Sequence, residues 1–249
     1  MSAAPVQEPE PTLHPPRGNG WVAAGAGGAV GLLGGMIGLG GAEFRLPLLI
    51  GLFGFLALQA VILNKAMSLL VVATALPARL IAVPLDQITP HWPIIVNLLA
   101  GSLLGAYIGA TWATRMASRT LYRVLAGLLI LIAAALLATH LGQVEPAGLE
   151  GAAQVIAGVL AGAGIGVVAA LMGVAGGELL IPTIVLLYGV DIKIAGSLSL
   201  AVSLPTMLVA FARYSQDKSF AVLQHNRHFL LAMAAGSIPS TMRSREASE

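Results

Sequence analysis

The chain reads as an all-α, polytopic transmembrane helix bundle made of two inverted repeats with glycine-broken helices, the second repeat truncated. Three observations predict this. Charged residues make up 10% of the 249 and apolar ones 57%, with a mean hydropathy of +0.88; a soluble domain carries about a quarter charged residues. Uncharged runs such as Gly18–Ala42, Gln87–Thr114 and Gly151–Gly177 reach the roughly 20 residues a spanning helix needs. Finally, the sequence repeats itself at a fixed offset, which sets architecture before any local reading.

The repeat is clearest at Gly38-Leu-Gly-Gly-Ala-Glu43-Phe-Arg45-Leu-Pro47, which returns 135 positions later as Gly173-Val-Ala-Gly-Gly-Glu178-Leu-Leu-Ile-Pro182. The same offset pairs Gly27 with Gly162, Gly31 with Gly166, Gly54 with Gly189, and Ser68-Leu69 with Ser203-Leu204. In each copy an apolar run is cut by glycines and an acid stands where it restarts. Irregular backbone of this kind is tolerated at membrane depth only where it is buried in protein or lines a cavity.

Taken in order, residues 1–20 are Pro-rich, carry Glu8 and Glu10 and lack a basic start, so they read as a disordered tail rather than a signal peptide. The first repeat covers 21–141. Trp21 is placed to anchor at an interface, and a helix runs from there to Ile37, breaks at Gly38–Gly41 and resumes as a short segment, Glu43–Leu58. A third helix follows over Val61–Val83, with Asn64 and Lys65 near its start and Arg79 near its end. The polar turn Pro84–Trp92 leads to a helix over Pro93–Ala113. Its Gly101, Gly105 and Gly109 recur every four residues, a packing face. After Arg115, Arg119 and Arg123, a fifth helix runs to His140, and Gly142–Ala152 links the halves. The second repeat, 152–238, places helices up to Met172, at Glu178–Tyr188, at Ala195–Ala212 and at His228–Ile238, before a polar tail, 239–249.

Short loops rich in Lys and Arg mark the cytoplasmic side. Arg115/Arg119/Arg123 and Arg213/Lys218/Arg227 therefore face the cytoplasm, and Pro84–Trp92 and Gly142–Ala152, which lack Lys and Arg, face outside. Equivalent points of the two repeats then lie on opposite sides, so the repeats are inverted, a common transporter plan. The inversion requires that the short segment after each glycine break cross back. The register pairs Gly101-Ser102 with Gly236-Ser237 and then stops, leaving residues 104–139 without a counterpart. A second copy, as a homo-oligomer, or a partner chain is expected to supply the missing pair of helices.

The two glycine-acid-proline stretches resemble the sulfite exporter TauE/SafE family, also called the toluene-sulfonate-uptake permease group, and the similarity extends from about residue 22 to Ser237. The resemblance implies a secondary transporter for small sulfur oxyanions or organosulfonates, coupled to an ion gradient. It implies a multi-pass protein of the cell membrane, as in a bacterial inner membrane.

A carrier of small anions needs positive potential within the membrane, and helix N-termini supply it through free N–H groups and the helix dipole. Discontinuous helices aim such ends at a central site. Gly38, Gly40 and Gly41 with Glu43, and Gly173, Gly176 and Gly177 with Glu178, are the candidates, although glycines also serve simple packing. Glu43 and Glu178 can stabilise a helix start or relay protons. Arg45, whose repeat partner is Leu180, can pair with Glu43, grip an oxyanion or reach the interface. Lys65, Arg79 and Arg213 read as interfacial anchors. Asn64 and Ser68, like Ser199 and Ser203, share one helix face and can line the cavity or bond between helices.

Other classes fit less well. With no cysteine, thiolate chemistry and disulfides are excluded. The five histidines lack metal-ligand spacing, so no metal and no other cofactor is expected. A net charge of +2 gives no footprint for nucleic acid. There is no Gly-x-Ser-x-Gly elbow, so an enzyme is not expected. A non-transporting membrane scaffold or sensor, or an inactive truncated paralogue, is the alternative; the expected partners are a small anionic substrate and the lipid bilayer.

Overall fold

A computed structural model describes residues 20–37, 41–82, 85–141 and 148–233. The helices in order are α1 (Gly20–Ile37), α2 (Ala42–Gly51), α3 (Ala57–Ala82), α4 (Leu85–Ile88), α5 (Trp92–Arg115), α6 (Ser118–Leu141), α7 (Gly151–Met172), α8 (Gly177–Tyr188), α9 (Ile192–Tyr214) and α10 (Ala221–His225), with 3₁₀ turns at Thr89–His91 and Lys218–Phe220. Residues 227–233 are also helical. The expected terminal tails, Gly38, Gly40 and Glu145 lie outside the described residues.

Length divides these helices into two kinds. At 1.5 Å per residue, α3, α5, α7 and α9 measure about 33–39 Å and match the roughly 30 Å hydrocarbon layer; stretches of all four are also apolar enough to cross a membrane. The 10 residues of α2 and 12 of α8 give only about 15 and 18 Å. Both are half-helices. Each begins at a glycine held at positive φ, Gly41 at 70° and Gly176 at 84°, where any residue with a β-carbon is strained. α7 ends the same way, at Gly173 with φ 70°.

Contacts along the helices give their directions. Gly162 of α7 abuts Leu98 of α5, Gly166 abuts Ser102, and Gly109 abuts Val167, so α5 and α7 run parallel. α9 joins them in the same sense: Thr206 bonds Ser102 at 2.8 Å and Arg213 bonds Thr111 at 3.0 Å. α8 doubles back along α7, because Gly176 touches Ala169 and Ile165 while Gln154 donates to the Leu187 carbonyl at 2.9 Å. The short segment after the break therefore returns toward the side where α7 began, as the loop charges require. α3 starts beside the opening of α6, where Tyr122 donates to the Phe55 carbonyl at 3.4 Å, so it opposes α5. It therefore also opposes α9, its repeat equivalent. The repeats are inverted.

Their packing has the matching two-fold symmetry. Gly27 of α1 presses on the backbone of Met233 as Gly162 of α7 presses on that of Leu98, and the 135-residue offset turns one pair into the other. Each repeat thus lends a helix to the flank of its twin. Along the α5–α7 seam, a β-carbon at Gly101 would strike the Val159 carbonyl and one at Gly105 the Ala163 carbonyl. Backbones meet directly there, which is how small residues hold membrane helices together. The larger apolar core groups Leu46, Leu49, Phe53, Leu63, Met67, Met172 and Tyr214 between the half-helices and α3.

Helix limits differ from the sequence expectations in three places. α3 begins at Ala57 rather than Val61 and α9 at Ile192 rather than Ala195, the latter capped upstream by Asp191 accepting from the Lys193 amide. α2 stops at Gly51 instead of Leu58, where Gly54 adopts a φ of 73°.

Candidate functional site

The two breaks meet through one face of α3. The last turn of α7 closes on itself, the Gly173 and Val174 amides donating to the Ala170 and Ala169 carbonyls at 3.1 Å, and side chains from elsewhere add further donors to the helix end. Lys65 Nζ donates to the Ala169 carbonyl at 2.9 Å and the Val174 carbonyl at 2.6 Å. Asn64 Nδ2 donates to Met172 at 3.1 Å and to Ala42, the first residue of α2, at 3.0 Å. Ser68 Oγ donates to Gly173 at 3.3 Å, and Tyr214 Oη to Ala170 at 2.8 Å. Positions 64, 65 and 68 share one helical face, so a single strip of α3 clasps the end of α7 and the start of α2. Gly173 admits the contact: a β-carbon there would run into the Val61 carbonyl of α3.

Four ionisable side chains gather at this junction. Glu43 opens α2 and Glu178 opens α8, and the two carboxylates lie within electrostatic reach of each other. Arg45 interacts with both, and Lys65 with Glu178. All four are buried; Lys65 is 0% exposed and Arg45 1%. Taken together their formal charges cancel. Their hydrogen bonding does not. Arg45 spends one donor, Nη2, on Ser68 at 3.3 Å, while its Nε and Nη1 find no partner among the described residues; the Glu43 carboxyl meets that of Glu178. Asn64 Oδ1 and Ser203 Oγ are likewise buried and unpaired. Leaving polar groups in this condition costs about 1–3 kcal/mol each, more for charged ones, so the cluster is not explained as packing.

The predicted site residues divide accordingly. Gly41, Glu43, Arg45, Asn64, Ser68, Gly173, Gly176 and Glu178 converge. Gly177 lines the start of α8, and a β-carbon added there would meet nothing within 4 Å, so space adjoins the helix end. Ser199 turns its hydroxyl to Gly196 of its own helix at 2.9 Å and does not reproduce the bridging of its counterpart Asn64. Gly38 and Gly40 lie outside the described residues.

Lys65 corrects the sequence reading. It is not an interfacial anchor: it sits about 12 Å along α3, sealed under α7. The misreading followed from starting α3 too late, which placed Lys65 at a helix end. Its repeat partner is Leu200, the same asymmetry that singled out Arg45, and that signal was present in the sequence. Tyr214 was missed because its partner is Arg79, so no repeat matched. Arg213 reaches Thr111 from the last turn of α9, and the Arg79 side chain lies outside the described residues.

A buried guanidinium with spare donors, two helix starts and a pair of carboxylates form a polar junction inside an apolar, multi-pass bundle. The chain has no significant match among curated proteins or solved structures. The sequence profile of the sulfite exporter TauE/SafE family matches residues 2–136 and 135–244, one segment for each repeat. The chain belongs to the sulfite exporter TauE/SafE family of membrane transporters.

Proposed function

We propose that this protein is a secondary transporter of a small sulfur oxyanion, sulfite or an organosulfonate, across the cell membrane, and that the junction of α2, α3 and α8 is its substrate site. The observation that carries this reading is Arg45. Its Nε and Nη1 donors are buried and find no partner among the described residues, they project from the first turns of α2, and planar guanidinium donors match oxyanions two at a time. The start of α8 adds the favourable end of a helix dipole, and Gly177 leaves room for the ligand.

Coupling to an ion gradient falls to the carboxylates. The four buried charges are neutral as a set, so an anion brings one uncompensated negative charge into a medium where such charge is costly. A proton taken up by the Glu43–Glu178 pair restores neutrality.

The test is uptake of radiolabelled sulfite into liposomes containing the purified chain. Flux that saturates, exceeds protein-free liposomes and is driven by an imposed proton gradient is expected. Absence of flux for sulfite and for a panel of sulfonates, from protein shown to be folded, would overturn the reading.

A further inference from the structure

The ammonium of Lys65 occupies a position that suits a metal ion. In transporters with broken helices, the carbonyls at the end of a half-helix and along the unwound stretch after it coordinate the coupling sodium ion. Here Ala169 is in the last turn of α7 and Val174 is in the break after it. Both carbonyls accept from one atom, Lys65 Nζ, at 2.9 and 2.6 Å, the Ala169 oxygen sharing itself with the Val174 amide at 3.1 Å. Glu178 lies within electrostatic reach of the ammonium. The ammonium is a compact point charge with three donors, carried by a fully buried stem from α3. The other carbonyls of the turn, Ala170, Met172 and Gly173, are taken by Tyr214, Asn64 and Ser68.

We infer that Lys65 is a tethered cation standing in the alkali-ion position of the second-repeat break, so that this half of the protein needs no sodium for folding or for transport. The inverted repeat sharpens the point. The equivalent position in the other half is Leu200, which carries no charge, so the device belongs to one break only. Lys65 is a positioning residue: it fixes the end of α7 and, through Glu178, the start of α8. The inference rests on the proposed transport role only for its second half; the structural half stands without it.

Thermal stability of the purified chain, with no substrate present, separates the two. The wild type is expected to melt at the same temperature in sodium, potassium and choline chloride of equal ionic strength, since a ligand that binds only the folded state would raise the midpoint by mass action. Lys65→Ala is expected to melt lower and to recover most of the loss in methylammonium or sodium but not in choline, which is too large for the cage. Lys65→Met, which fills the space with an uncharged stem, should melt lower and not respond to either cation. A wild type stabilised by sodium, or a folded Lys65→Ala that no small cation rescues, would overturn the inference. If Lys65→Ala does not fold, the wild-type comparison decides alone. Because the readout needs no flux, failure to transport sulfite leaves this result unaffected.

Discussion

A guanidinium and an ammonium inside one small bundle are expensive unless each has a task, and here the tasks differ. Lys65 spends two of its hydrogen bonds on backbone, whereas Arg45 spends a single one on Ser68. Substitution should separate them. Arg45→Leu is expected to weaken oxyanion binding roughly 10- to 150-fold, the loss of one charge-assisted hydrogen bond worth about 1.5–3 kcal/mol, while the fold persists; calorimetric titration with sulfite measures it, and unchanged affinity assigns Arg45 to structure. Glu178→Gln should retain binding yet lose acceleration by an imposed proton gradient, because the neutral amide cannot take up the charge. Gradient-driven uptake equal to wild type would remove Glu178 from the coupling. The sequence made Glu43, Arg45 and Glu178 visible because charge in an apolar run stands out and because the register aligns the two acids. It hid the clasp of Asn64, Lys65 and Ser68 on α7. The acceptors of that clasp are backbone carbonyls, which no side-chain pattern encodes.

At the scale of elements, the breaks matter because they convert two spans into half-helices whose starts point inward. Their positions were legible from glycine followed by acid and proline; the left-handed conformation of Gly41 and Gly176 was not. The pairing of α5 with α7 was legible only in half. Spacing marked Gly101, Gly105 and Gly109 as a contact face, but nothing in composition says which helix lies against it. The seam itself makes a prediction. Gly105→Val must push α5 and α7 apart, since its β-carbon would enter the Ala163 backbone. Overpacking of this kind costs typically 1–3 kcal/mol. A lower melting midpoint is expected for Gly105→Val than for the same change at Gly127, where a β-carbon meets nothing within 4 Å. Equal midpoints would mean that the seam yields.

For the whole molecule, direction is the quantity to check. Parallel α5, α7 and α9 opposed by α3 put Asp86 on one side and Arg119 and Lys218 on the other, and the excess of arginine predicts a cytoplasmic position for the latter pair. The chain contains no cysteine, so single replacements report cleanly. Asp86→Cys should react with an impermeant maleimide on intact cells, and Arg119→Cys and Lys218→Cys only after permeabilisation. Labelling of position 218 from outside would reverse the assignment. The inversion could be read from charge alone because the loops are short. The exchange of flanking helices between repeats could not, since it depends on contacts between residues far apart in sequence.

That exchange also sets an order of events at the ribosome. Leu98 meets Gly162 after about 60 further residues, whereas Gly27 meets Met233 only after about 200. At roughly 5–20 residues per second, the first contact waits some 3–12 s and the second some 10–40 s. Through that interval α1 sits in the bilayer with the glycine face that receives Met233 still uncovered. α1 meets α2 early but its distant neighbour late, so any factor that shields that glycine face of a nascent membrane segment has its longest engagement with the N-terminal one.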